Sequence, residues 1–225
     1  MTLRLTFREK RLGWFYLAAQ MLVIPFAVAA VCMMLGIRSE ADINLICFYI
    51  NAALAAAVFP NLLTKSFSEL RSRWKKTLLT TLKGFGLYWL ASTAVALALL
   101  ALKPDFSNVN DQSVTAMIAQ RPVLMTLAVV FAAPLAEECL FRGWMFTGLA
   151  ERSMPLAYAV TCAIFSVVHI LPYFGTYDVL TLLLCFLQYL APSFVLCRTC
   201  ARDDSLCAPL LLHMTINTAA LFVAR

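Results

Sequence analysis

The sequence predicts an all-α, polytopic membrane bundle of about seven spanning helices with a cytoplasmic N-terminus. Composition is the first reason: hydrophobic residues make up 62% of the 225-residue chain and charged ones only 13%, against about 45–50% and 25% in soluble domains. With a mean hydropathy of +0.82, there is too little polar surface to cover a water-soluble globule. The second reason is pattern, since apolar runs close to the ~20 residues needed to cross a bilayer recur along the whole chain. The third is the distribution of Lys and Arg, which collect in alternate breaks between these runs.

The runs lie at 14–37, 43–64, 78–102, 122–149, 154–172, 178–198 and 206–224. The breaks carry loop chemistry: Arg38-Ser39-Glu40, a basic stretch from Lys65 to Lys76, Pro104-Asp105, Ser153-Met154-Pro155, Pro172 to Asp178, and Asp203-Asp204-Ser205. Residues 103–121 form the longest polar stretch and read as an irregular loop. The first run is basic ahead of its apolar part, like a signal peptide, but it continues to Ile37, beyond the ~7–15 residues of a signal core. It reads as a retained anchor. The chain is therefore one membrane domain over 1–225, with three accessory helices (14–102) and a four-helix core (122–224).

Charge orients it. With the N-terminus inside, Arg4, Arg8, Lys10, Arg11, Lys65, Arg71, Arg73, Lys75, Lys76, Arg152, Arg198 and Arg202 are cytoplasmic. Arg38, Lys103, Arg121 and Arg225 are outside. Twelve against four sets the orientation by the positive-inside rule. The basic stretch around Trp74 reads first as a topogenic loop, although it also suits anionic lipid. Scattered in loops, these cations exclude nucleic acid as a partner and leave the bilayer. Most of the eight cysteines fall in apolar runs, where cysteine is a small buried hydrophobe. Cys197-x-x-Cys200 has metal spacing but no second pair, and so carries no role.

Ionisable side chains at bilayer depth are expensive and functional by default. The fourth run holds Glu137, Glu138 and Arg142 within six residues, and both histidines of the protein lie in apolar runs, His169 in the fifth and His213 in the seventh. Glu138 and Arg142 are four apart, on one helical face, and positioned to pair. Glu137 is turned about 100° away and free to face other helices. Partly desolvated and without a partner in its own helix, it suits a general base. His213 and Asn217 are also four apart and share a face. Pro134 should kink the fourth helix beside the acids. Counted at 1.5 Å per residue from the helix ends, Glu137 and His169 lie about 21 Å deep, and His213 and Asn217 about 16 and 22 Å. Gln20, Asn51, Asn61 and Gln188 read as contacts between helices.

These motifs resemble those of the CAAX protease and bacteriocin-processing family of intramembrane proteases (CPBP, also called ABI). Its pattern stands here as Glu137-Glu138-x-x-x-Arg142, Phe165-x-x-x-His169 and His213-x-x-x-Asn217, over residues 122–224. The resemblance implies a glutamate-dependent intramembrane endopeptidase of the cell membrane, acting on a membrane-associated peptide or protein. It implies that Glu137 and His169 activate water and that His213 and Asn217 stabilise the oxyanion, with Glu138, Arg142 and Phe165 supporting. No cofactor is expected. The rival within the enzyme class is zinc on Glu137, His169 and His213, although a His-Glu-x-x-His pair is missing. A non-catalytic bacteriocin-immunity or membrane binding protein of the same family is the alternative from another class. A proton-coupled carrier also fits mid-depth Glu and His, but shows no repeat symmetry.

Overall fold

The computed structural model describes Leu3 and residues 5–223. Arg4 and Arg225, counted in the charge asymmetry, lie outside the described residues. The elements are α1 (Phe7–Met34), α2 (Glu40–Val58), α3 (Pro60–Leu102), α4 (Val109–Gln120), α5 (Pro122–Ala150), α6 (Met154–Tyr173), α7 (Val179–Asp203) and α8 (Cys207–Val223). Among the described residues no strand forms. Six of these helices are long and apolar enough to cross a membrane, and α8 is apolar but shorter. The expected all-α multi-pass bundle is what the chain forms.

Local chemistry fixes the ends. Thr6 caps α1 by accepting the Glu9 N–H, and Glu9 reaches back to the Thr6 N–H, the reciprocal pair that satisfies two orphan donors at a helix start. The other oxygen of Glu9 accepts the Leu62 N–H at 2.9 Å. One buried carboxylate therefore caps the first turns of α1 and α3 together, where the helix dipole favours negative charge. Pro60 pushes Phe59 out of helical geometry, to φ −116° and ψ 45°, and this separates α2 from α3.

Two boundaries differ from the sequence reading. The second run ends at Val58 rather than 64, and the basic stretch 65–76 is not a loop but part of α3, which runs 43 residues. At 1.5 Å per residue that is about 64 Å, twice a bilayer core. It is broken at Arg73 (φ −127°, ψ 24°), so the basic first part and the apolar second part are separate segments. Residues 103–121 likewise are mostly helix. Asn108 caps α4 by accepting the N–H groups of Asn110 and Asp111 at 3.0 and 3.3 Å. Val114, Met117 and Ile118 then pack on Ala41, Met125 and Ala128.

The core sits around α5, of whose apolar window 56% is buried, against 6% for α3. Ahead of Pro134 the helix takes a π-helical turn, Ala128–Ala132. A longer π-helical stretch, Glu138–Phe146, carries the acidic motif itself. Such widened turns recur at functional sites because they re-aim side chains. Here all nine residues of that stretch are buried. Tight helix contacts frame α5: Gly13 of α1 lies against the Trp144 indole, whose N–H donates to the Lys10 carbonyl at 3.0 Å.

Candidate active site

Three helices aim their ionisable groups at one point. Glu137 Oε2 lies 3.8 Å from His169 Nε2 and 3.9 Å from His213 Nε2. That oxygen is buried and has no hydrogen-bond partner among the described residues. The three side chains keep 9–18% of their surface exposed, so the cluster is desolvated yet reachable.

Each imidazole is oriented through its other nitrogen. His169 Nδ1 lies 2.7 Å from the Phe165 carbonyl. A carbonyl only accepts, so Nδ1 carries the proton and Nε2 is the atom left for Glu137. His213 Nδ1 lies 2.8 Å from Glu138 Oε1 and is set the same way by a carboxylate. The i,i+4 register inside α6 makes the first contact possible, since Phe165 and His169 stack over one another with ring centroids 4.4 Å apart.

Beneath this pair lies a buried ionic layer. Arg142 Nη1 donates to Glu138 Oε1 at 3.0 Å, and both side chains are fully buried. Arg142 Nη2 also reaches the hydroxyl and carbonyl of Ser193 in α7, at 3.0 and 3.3 Å. Its guanidinium sits 4.3 Å from the Phe165 ring centroid, a desolvated cation–π contact. Phe165 is thus clamped between Arg142 and His169, which explains why an aromatic belongs four residues before the histidine. The pairing of Glu138 with Arg142 is as the spacing predicts. Its second role, holding His213, is not visible in sequence because the partner is 75 residues away.

Asn217 shares the helix face of His213. One of its amide hydrogens goes to the Val129 carbonyl at 2.8 Å, within the π-helical turn of α5, and it ties α8 to α5 beside the cluster. Ser193 and Tyr189 of α7 are site neighbours that sequence reasoning missed; neither belongs to a motif. Tyr189 stacks on His169 with centroids 4.4 Å apart. Gln188 does contact another element, accepting from Asn108 Nδ2 at 3.0 Å. Cys197 and Cys200 are buried free thiols, and among the described residues no three or more His, Cys, Asp or Glu form a metal-binding group.

A helical bundle of apolar helices thus sets one carboxylate against two oriented imidazoles. Residues 119–219 match the family model described as type II CAAX prenyl endopeptidase Rce1-like, in accord with the CAAX protease family that the motifs resemble. The matched region contains all three motifs and supports an intramembrane-protease-like function. No curated protein and no solved structure gives a significant match.

Proposed function

We propose that the chain is a glutamate-dependent intramembrane endopeptidase that hydrolyses a peptide bond in a membrane-associated protein or peptide of the cell membrane. The observation that carries this reading is the placement of Glu137 Oε2 between two Nε2 atoms, at 3.8 and 3.9 Å. A carboxylate oxygen and the His169 Nε2 at that separation suit a water that gives one hydrogen to each. Glu137 takes a proton as the water oxygen attacks the scissile carbonyl. The same proton passes to the leaving amine when the C–N bond breaks, so the carboxylate ends as it began. Hydrogen-bond donors in a low-dielectric site stabilise the developing oxyanion. The His213 imidazole and the second Asn217 amide hydrogen are this chain's candidates for that task.

The same donor set favours a second reading in one respect. Metal-bound histidines place their other N–H on a carboxylate or a carbonyl, as His169 and His213 do. Against it, ligands on a tetrahedral zinc with bonds of about 2.0–2.2 Å lie roughly 3.4 Å apart, and the N–O separations here are 3.8 and 3.9 Å. Zinc on Glu137, His169 and His213 would require the cluster to contract, so we propose water activation without a metal.

The test is incubation of detergent-purified protein with a library of membrane-derived peptides, followed by mass spectrometry for new termini. Cleavage lost in Glu137→Ala and retained after chelation supports both parts of the proposal. Loss on chelation with recovery on adding zinc establishes the metal reading. No cleavage under any condition, together with saturable peptide binding, establishes the binding-protein alternative.

A further inference from the structure

Outside the motif helices, α4 and the middle of α7 share a polar cluster beside His169 that hydrolysis as described does not use. The Tyr189 hydroxyl donates to Asp111 Oδ1 at 2.9 Å and accepts from Asn110 Nδ2 at 2.8 Å. Asn110 Oδ1 in turn accepts from the Tyr173 hydroxyl at 3.2 Å. Next to it, Asn108 Nδ2 donates to Gln188. The hydroxyl end of Tyr189 is thus held from two neighbouring positions of α4, and its ring is laid over His169.

The His169 imidazole is consequently packed against two aromatic rings. Phe165 lies with centroids 4.4 Å apart and rings inclined at 39°, and Tyr189 at 4.4 Å and 31°. The Phe165 carbonyl fixes which nitrogen faces Glu137, but a single hydrogen bond leaves the ring free to swing about χ1. A second flat wall removes that freedom. We infer that Tyr189 is a positioning residue for His169, anchored by Asp111, so that α4 is a working part of the active site. This rests on the hydrolase reading above, and it adds a residue pair that none of the three motifs contains.

Geometry of this kind is sensitive, because a displacement near 1 Å at a reacting group costs on the order of 10²-fold in rate. Tyr189→Leu removes the wall and should lower kcat by about 10²-fold, with KM changed by less than about threefold. Tyr189→Phe keeps the wall and loses only the two hydrogen bonds of its hydroxyl, and should cost roughly tenfold or less, since each is worth little net. Asp111→Ala removes one of those two bonds from the other end. It should cost no more than Tyr189→Phe, and the double variant should be no worse than Tyr189→Phe alone, the non-additivity of groups acting through one contact.

A readout independent of activity is at hand, because the chain has only two histidines. In protein labelled with isotopic histidine, two imidazole signal sets appear, assigned by loss of one in His169→Gln. Stacking shields the His169 ring protons. Tyr189→Leu should move them downfield and leave those of His213 in place, while Tyr189→Phe should move neither. Kinetics use the fastest-cleaved peptide of the library, remade as a quenched-fluorescence substrate. If the His169 signals stay put in Tyr189→Leu, or kcat is unchanged while the wild type cleaves, the positioning role is overturned and the hydrolase reading stands. If the wild type cleaves nothing, the catalytic role of the pair falls with that reading, and the His169 signals still decide whether Tyr189 orders the ring.

Discussion

His213 places Nδ1 2.8 Å from Glu138 Oε1, an oxygen that also receives Arg142 at 3.0 Å. One buried carboxylate therefore serves two ends: it neutralises a cation in its own helix and orients an imidazole on another. Removing it leaves Arg142 without its counter-charge in a fully buried site. Glu138→Gln should cost roughly 3–5 kcal/mol of stability, as for other broken buried pairs, and should lower cleavage as well by releasing His213. Replacing the pair together, as Glu138→Leu with Arg142→Met, should recover much of the stability, since apolar substitutes for buried pairs are often neutral. It should not recover activity. Denaturant titration in detergent alongside the cleavage assay separates the two, and a Glu138→Gln protein as stable as wild type sinks the argument.

Glu137 behaves differently because its inner oxygen faces two imidazole nitrogens and no cation. In Glu137→Gln an amide N–H takes the place of that oxygen and can donate to a histidine lone pair. The variant should keep its fold, with unfolding free energy within about 1 kcal/mol of wild type, as for most substitutions that break no buried network. Cleavage should fall by at least the 10²–10⁴-fold that general-base catalysis supplies. If Glu137→Gln still cleaves and Glu138→Gln is inactive but stable, the two acids have exchanged roles.

The contrast between these acids shows where sequence carries information. Glu138 and Arg142 are legible because i,i+4 spacing places them on one face whatever surrounds the helix. The convergence of Glu137, His169 and His213 is legible less directly, through the cost of burying ionisable groups and their common depth. Contacts to unmarked partners are illegible. Tyr189 is one aromatic among many apolar residues of α7, and Ser193 one hydroxyl. Only the fold brings them to His169 and Arg142. The misread segments have the same kind of cause. The basic stretch 65–76 is polar enough to look like a loop, yet it contains no Gly or Pro to stop a helix. In 103–121 the cap at Asn108 and the apolar Val114, Met117 and Ile118 were present, but masked by the polar residues between them.

Close packing of α1 on α5 gives a third prediction. Gly13 faces the Trp144 indole so closely that an added Cβ would overlap the ring, and the ring is held by its hydrogen bond to Lys10. A rigid indole cannot yield as the tip of a leucine can. Gly13→Ala should destabilise by about 1–3 kcal/mol, the usual penalty for overpacking. In a Trp144→Ala background the same substitution should be nearly neutral. Equal penalties in both backgrounds, read from thermal unfolding in detergent, would show that the contact is not the cause.

The last prediction concerns pH at the start of α7, which follows the turn after His169. Asp178 accepts the Thr181 hydroxyl at 2.6 Å and the Thr181 N–H at 2.9 Å. These bonds, the hydroxyl's first, hold its carboxyl below the usual carboxylate range. Because the folded value lies below the unfolded one, ionised Asp178 stabilises the cap at every pH above the unfolded value, about 3.9. That contribution shrinks as pH falls below there and is gone once pH has passed through the lower folded value. The carboxyl is open to solvent, so the effect is local fraying and not global unfolding. Amide hydrogen exchange at Thr181 and Leu182 should show protection near pH 6 that weakens toward pH 3, beyond the intrinsic change in exchange rate. Asp178→Asn caps the helix without titrating, and its protection should be nearly level across the same range. A wild type and variant that fray in parallel on acidification would place the pH response somewhere other than this carboxyl.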